Sequence, residues 1–205
     1  MKNFQRPVET KLFYFIMITL VVIAIGGLVE ILPMTFQKMV TEAKPGLTPY
    51  SALALTGRDI YIREGCNNCH TQTVRKLFFD TERYGHYSEA GEYVYDHPFL
   101  WGSKRTGPEL SRIGQLYGDD WHRKHLDNPR QVVPESNMPP YPFLAATAID
   151  ASSIEDKMRA LAVLGVPYTD KDIGEAKAQL ADKTEQDALV AYLQQMGLLY
   201  RFQKP

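Results

Sequence analysis

Residues 66–70 read Cys66-Asn67-Asn68-Cys69-His70, and the interpretation of the whole chain depends on this stretch. Two cysteines three positions apart, followed directly by a histidine, form the C-x-x-C-H pattern typical of covalent c-type haem attachment. In this chemistry each thiol adds across one vinyl group of the haem, and the adjacent histidine reaches the iron. Both cysteines of the 205-residue chain lie in this motif. The sequence therefore predicts one covalently bound haem c, held by Cys66 and Cys69, with His70 as an axial ligand.

Three other interpretations of the two cysteines remain open on the residues alone. A thioredoxin-like dithiol would follow a strand and would not need His70, whereas a helix is predicted before this motif. A structural disulfide between Cys66 and Cys69 is the second alternative. A zinc site is the third, and it would need two more ligands. The other histidines stand at no recognised zinc spacing: His86, His97, His122 and His125.

The second axial position of a haem iron needs its own candidate. Met138 lies in residues 137–140 (NMPP), a proline-stiffened loop on which packing is a poor explanation for a methionine. His/Met ligation raises the reduction potential and favours electron transfer over ligand binding. The alternative ligands are His122 and His125, on a short predicted helix just upstream. The other methionines are the first residue or are expected in the membrane helix, the connector or packed helices: Met1, Met17, Met34, Met39, Met158 and Met196.

Residues 106–110 (TGPEL) contain a candidate partner for the axial histidine. A ligating histidine usually donates its other ring N–H to a carbonyl, which fixes its tautomer and orientation. Proline has no N–H and holds its carbonyl in a rigid frame. Pro108 therefore suits the acceptor role, and a plain Gly-Pro turn is the alternative.

The N-terminal region contains a long apolar stretch. Leu12–Val29 is 18 residues without a charge, and after Glu30 the stretch continues to Leu32, which makes 21 residues in all. About 20 such residues are needed to span the hydrocarbon layer of a membrane. We predict a membrane anchor at residues 1–36, with the span at about residues 12–32.

A signal peptide is the alternative for this region, because Lys2, Arg6 and Lys11 form a basic head and residues 24–26 (AIG) resemble a cleavage tripeptide. The apolar run is longer than the roughly 7–15 residues of a signal core, and it continues past the tripeptide. The basic residues before the span predict a cytoplasmic N-terminus. The expected topology is single-pass, with the rest of the chain outside the cytoplasm.

The overall charge excludes one class of partner. Lys and Arg number 23 and Asp and Glu number 24, so the formal net charge is -1. Because there is no basic surplus to bind phosphate backbones, nucleic-acid binding is not expected.

The remaining sequence predicts a mainly α fold. Residues 37–52 form a polar connector that is interpreted as a linker. The domain is expected at 53–200, where residues 56–59 (TGRD) open a first helix with a capping-box pattern. Residues 71–104 form a long insertion rich in aromatic residues and poor in helical periodicity. Further helices follow from apolar periodicity, and no strands are predicted: 119–126, 152–164, 170–181 and 184–196.

The soluble part resembles an enlarged class I cytochrome c. The matching motifs are CNNCH, TGPEL, NMPP and the terminal-helix sequence LVAYLQQM. The resemblance implies that the Pro108 carbonyl accepts from the axial histidine. It also implies that the last helix crosses the helix before the haem motif, so that Tyr61 or Ile62 contacts Leu189 or Tyr192. The departure is the 37 residues between His70 and Pro108, far more than in small cytochromes c.

Two longer blocks, GRDIYIREGCNNCHTQ and LWGSKRTGPELSRIG, together with the anchor, make the chain similar to a more specific family. They resemble the mono-haem subunit (subunit II) of cbb(3)-type cytochrome c oxidases over about residues 5–200. The resemblance implies a bacterial inner-membrane subunit with a cytoplasmic N-terminus and a periplasmic haem domain. Its enzymatic role would be that of an electron-transfer subunit, because oxygen reduction takes place in the partner.

The same resemblance implies the partners. The subunit would accept electrons from a di-haem cytochrome subunit or a soluble cytochrome c, and would relay them to the low-spin haem of the catalytic haem–copper subunit. A free-standing anchored cytochrome carrier and an open-site haem sensor or enzyme are the alternatives. Lys104 and Arg105 precede the TGPEL loop, so they are expected either to pair with haem propionates or to be solvated. The stretch 101–105 is expected to face the catalytic subunit.

Overall fold

A computed structural model describes residues 5–38 and 42–201 of the chain. The chain divides into two compact units, with the boundary between Glu42 and Ala43. Lys2 of the predicted basic head and Met39 of the predicted connector lie outside the described residues.

The described residues of the first unit contain two helices, α1 (Gln5–Thr10) and α2 (Leu12–Met34). The α2 helix contains the predicted span at 12–32, and its apolar side chains are exposed. Among the described residues it is the one helix long and apolar enough to cross a membrane. The fold class predicted for this region, a single N-terminal transmembrane helix, agrees with this architecture.

The second unit is built from short helices joined by long loops. In chain order its helices are α3 (Ala52–Arg63), α4 (Phe78–Tyr84), α5 (Asp119–Asp127), α6 (Phe143–Ala146), α7 (Ile154–Val163), α8 (Asp170–Gly174), α9 (Ala176–Leu180), α10 (Glu185–Gln195) and α11 (Leu198–Arg201). Within the part of this unit that the structure describes, three 3₁₀ turns lie at Cys66–Asn68, Ala90–Glu92 and Pro129–Gln131. The described residues form no strand, only an isolated bridge between Ala148 and Thr184. The mainly α prediction is confirmed.

The start of α3 corrects the sequence prediction. Ser51, not Thr56, is the N-cap, and its side-chain oxygen accepts from the Ala54 N–H at 3.2 Å. Thr56 lies in the second turn, where its hydroxyl donates to the Ala52 carbonyl at 2.9 Å. A threonine inside a helix bonds back to the preceding turn in this way, so its capping-box pattern was misleading.

Two further differences concern regions where the local pattern was weak. The predicted helix at 170–181 is two helices, α8 and α9, because the chain turns at Glu175 after the poor helix former Gly174. The insertion at 71–104, predicted to have little helix, contains α4 and one 3₁₀ turn.

The core is organised by the crossing of α3 and α10. The rings of Tyr61 and Tyr192 meet edge to face, with centroids 5.4 Å apart. Gly57 makes this crossing close, because a Cβ atom there would lie 2.9 Å from Tyr192 Cβ and 2.5 Å from the Ala188 carbonyl carbon. Ile62, the other predicted contact residue, is more than a third exposed. The predicted helix crossing is confirmed, with Tyr61 and Tyr192 as the contacting pair.

Helices α7, α8 and α9 pack against α3 and form a second apolar cluster with it. Met158 of α7 is fully buried in it, and Met196 is buried in the main core. Both methionines pack as predicted, in positions where packing accounts for them.

A buried ion pair attaches the insertion to α3. Arg58 Nε lies 3.3 Å from Asp96 Oδ1, and both side chains are almost fully buried. The Arg58 guanidinium also donates to the carbonyls of His97 and Pro98. Burial raises the pKa of Asp96 to about 6, although the charge of Arg58 opposes the shift.

Gly57→Ala tests the close crossing of the two helices. We expect the free energy of unfolding to fall by about 1–3 kcal/mol, because the added methyl meets the α10 backbone. Gly174→Ala is the control, since that position in α8 has no atom within 4 Å of an added Cβ. Thermal unfolding of the purified subunit measures both, and equal destabilisation would contradict the proposed packing constraint.

Candidate haem site

The C-x-x-C-H motif folds as a tight turn directly after α3. Gly65 ends the helix with a φ of 71°, a left-handed conformation that favours glycine. The N–H groups of Cys69 and His70 both donate to the Cys66 carbonyl, at 3.1 and 2.9 Å. The turn therefore presents both cysteines and the histidine from one short segment.

The two thiols are free and differ in their surroundings. Cys66 is half-buried and Cys69 is exposed. Burial raises the pKa of Cys66 to about 12, so this thiol is protonated at neutral pH. The disulfide interpretation has no support in this arrangement. Among the residues described, no three His, Cys, Asp or Glu side chains are grouped so that they could hold a metal ion.

His70 is held by the carbonyl of Pro108. The Nδ1 atom lies 2.8 Å from the Pro108 oxygen, and because a carbonyl can only accept, Nδ1 must carry the proton. Burial lowers the pKa of His70, which favours the neutral ring. A neutral ring protonated on Nδ1 leaves the Nε2 lone pair available to a metal.

The TGPEL loop is held alongside the motif by two further hydrogen bonds. The Gly107 N–H donates to the Cys69 carbonyl at 2.9 Å, and the Leu110 N–H donates to the Thr71 carbonyl at 3.0 Å. The Pro108 carbonyl lies between these two bonds along the loop. Its position against His70 is therefore set by backbone contacts on both sides.

Gly107 is a site residue that the sequence analysis missed. A Cβ atom on Gly107 would lie 2.7 Å from both ring nitrogens of His70 and closer still to Cε1. Only glycine allows the loop to approach the imidazole so closely. The signal available in the sequence was its position directly before Pro108.

Met138 lies on the loop that precedes α6, as the prolines predicted. It is half-buried and packs against the same apolar cluster as Cys66 and Leu110. Its N–H donates to Ser136 Oγ at 3.2 Å, which fixes the start of the loop. Further along, the Tyr141 N–H donates to the Leu126 carbonyl of α5 at 2.8 Å.

The two histidines of α5 contain buried nitrogens without a protein partner. Within the described structure, His122 Nε2 and His125 Nδ1 have no hydrogen bond. Burial lowers the pKa of both rings, and His70 contributes to the shift at His125. The His125 ring stacks on Trp121 with centroids 4.8 Å apart. Leaving such a nitrogen unpaired costs about 1–3 kcal/mol, so these atoms suit a pocket completed by a bound group.

These observations test whether the site fits a haem. The donor set comprises two free thiols, an oriented imidazole with an available Nε2, and a half-buried thioether on a stiff loop. In α5, two buried ring nitrogens have no protein partner among the described residues. The residues present fit a c-type haem.

The Arg105 guanidinium is bound by protein groups. It binds both carboxylate oxygens of Asp80, at 2.8 and 2.7 Å. It also donates to the Thr71 hydroxyl at 2.9 Å. The sequence could not indicate this, because Asp80 is 25 residues away. Lys104, by contrast, is exposed.

Comparison with known families agrees with this geometry. The family model described as cytochrome C oxidase, mono-heme subunit/FixO matches residues 5–188. No curated protein matches the chain. The match covers nearly all of both described units and includes the motif, the TGPEL loop and the Met138 loop. The chain belongs to the FixO family, the mono-heme subunits of cbb3-type cytochrome c oxidase.

Proposed function

We propose that this subunit is the electron relay of its oxidase, with one haem c bound covalently through Cys66 and Cys69. His70 and Met138 are the axial ligands in this proposal, and the Pro108 carbonyl orients His70. The observation that carries it is the 2.8 Å contact between His70 Nδ1 and Pro108 in a FixO-family chain. A bound haem would supply a one-electron ferric/ferrous couple.

The protein side of the attachment follows from the turn at residues 65–70. Cys66 and Cys69 leave the same turn, so both thiols could bond to one haem. Such thioether bonds would keep the haem next to His70. They would also make retention of the haem independent of the residues that ligate its iron.

The polypeptide tunes the relay through its ligand types. A neutral imidazole whose N–H is hydrogen-bonded to a carbonyl is a more basic ligand for iron. A thioether ligand favours the ferrous state. With both His70 and Met138 bound, the iron would have no position open to oxygen. Such a site would pass single electrons and would not activate oxygen.

The route and topology belong to the same proposal. Electrons enter from a di-haem cytochrome subunit or a soluble cytochrome c and leave to the low-spin haem of the catalytic haem–copper subunit. Residues 1–36 anchor the chain in the bacterial inner membrane, with residues 37–52 as linker and 53–200 as periplasmic haem domain. Arg6 and Lys11 before α2 support a cytoplasmic N-terminus.

Met138→Ala tests the distal ligand. The haem should remain attached, because the thioether bonds do not involve Met138. The midpoint potential should fall, carbon monoxide should bind, and electron delivery to the catalytic subunit should slow. Redox titration and carbon monoxide difference spectra of the purified oxidase measure these effects.

A contrary result is also informative. If the variant keeps a low-spin spectrum and excludes carbon monoxide, Met138 is not the ligand. The single variant His125→Ala then tests whether His125 is the ligand. Loss of the low-spin spectrum in that variant would assign it.

Gly107→Ala tests the hold on the proximal ligand. The added methyl overlaps the His70 ring, so we expect a weakened low-spin spectrum and a potential displaced from the parent value. Gly102→Ala is the matched control on the same loop, because its Cβ would meet only ordinary contacts at 3.7 and 3.9 Å. Visible absorption spectra of the two purified variants measure the difference, and identical spectra would contradict the assignment.

The partner assignment is tested by isolation in mild detergent. The subunit should co-purify with the catalytic subunit, and rapid-mixing kinetics should show its haem reduced before that subunit's low-spin haem. Isolation of the subunit alone, with full oxidase activity elsewhere, would favour the free-standing carrier.

A further inference from the structure

A cluster of three charged side chains, Arg105, Asp80 and Glu109, contacts the segment that follows His70. Arg105 binds Asp80 of α4 through both carboxylate oxygens and donates to the carbonyl of Thr73 at 3.0 Å. It also lies 3.3 Å from Glu109, the residue that follows Pro108. The cluster therefore joins three segments that are separate in sequence: the end of the haem motif, α4 and the TGPEL loop.

Glu109 is the innermost member of this cluster. Its side chain is fully buried. One carboxylate oxygen accepts from the Ser111 N–H at 2.7 Å and from the Ser111 hydroxyl at 2.6 Å. The other accepts from the Thr71 hydroxyl and from Arg105. These donors hold the buried carboxylate in one orientation.

Two residues in this network are sequence neighbours of the His70–Pro108 contact. Thr71 directly follows His70, and Glu109 directly follows Pro108, whose carbonyl His70 contacts. The side-chain bond from Thr71 to Glu109 runs beside the backbone bond from Leu110 to Thr71. The buried cluster is thus linked to His70 through both of the segments that form the His70–Pro108 contact.

We propose that Glu109 and Arg105 are positioning residues for the axial histidine and that their opposite charges set the midpoint potential of the haem. Glu109 holds the Pro108 carbonyl against the His70 N–H, and its negative charge stabilises the ferric state. Arg105 orients Glu109 and partly cancels that charge. The inference rests on the proposed function, because it takes His70 as an iron ligand.

The physical basis is the low dielectric of the buried cluster. A charge there acts on a nearby redox centre far more strongly than a solvated one. Ferrous haem carries one positive charge fewer than ferric haem. Removing a nearby anion therefore favours the ferrous state, and the midpoint potential rises. Removing the cation leaves Asp80 and Glu109 uncompensated, so the potential falls. A purely structural ion pair would give no such opposition of sign.

The test is a redox titration of this subunit's haem in the purified oxidase complex, with the variants Glu109→Gln and Arg105→Gln. At a fixed applied potential, Glu109→Gln should raise the reduced-to-oxidised ratio on the order of tenfold, equal to about 59 mV for one electron. Arg105→Gln should lower the ratio. Glu92→Gln is the matched control, because Glu92 is a buried carboxylate paired with Arg112 at 2.6 Å. It should change the ratio less than Glu109→Gln does.

Two conservative variants separate charge from folding. Arg105→Lys keeps the positive charge but loses the bidentate contact with Asp80. Its haem should stay near the parent potential. This variant keeps the test possible if Arg105→Gln fails to assemble. Thr71→Val removes one hydrogen bond to Glu109 without changing charge. It should alter the electron paramagnetic resonance spectrum of the ferric low-spin haem, which reports the orientation of the histidine, more than it alters the potential.

Shifts of the same sign in Glu109→Gln and Arg105→Gln, or no shift in Glu109→Gln, would overturn the proposal. A shift in Glu92→Gln as large as that in Glu109→Gln would also overturn it. A parent protein whose haem lacks a histidine ligand would instead overturn the proposed function. The two failures are therefore distinguishable.

Discussion

The hydrogen bond between His70 and the Pro108 carbonyl is the contact on which the arrangement of the domain depends. It requires a loop to lie against the haem motif although 37 residues of chain separate them. Gly107 permits the approach, and backbone bonds on either side fix the carbonyl. The chain between residues 71 and 106 must therefore run away from the motif and return to it.

Buried charge contributes to the specificity of that return path. Arg58 of α3 pairs with Asp96, and Arg105 pairs with Asp80, so each end of the insertion is tied to the haem-side framework. Removing one partner of a buried pair costs about 3–5 kcal/mol, because an uncompensated charge remains. Alternative paths for the insertion would leave these charges unpaired, which disfavours them.

The α3–α10 crossing supplies the rigid base for this arrangement. Tyr61 and Tyr192 pack in its centre, and the Tyr61 hydroxyl donates to the His70 carbonyl at 3.4 Å. Tyr192 also exchanges hydrogen bonds with Gln72, two residues after His70. The core thus holds the motif from one side while the TGPEL loop holds it from the other.

The sequence by itself determined what is local: the haem motif, the apolar span of α2, the helical class and the methionine on a proline-bounded loop. These follow from spacing and periodicity within a few residues. Tertiary structure decided that Ser51 and not Thr56 caps α3, that Arg105 binds Asp80, and that Gly107 lies against His70. Each of these depends on groups far apart in the chain, or on competition between nearby hydroxyls, and burial selects among partners that a linear pattern cannot rank.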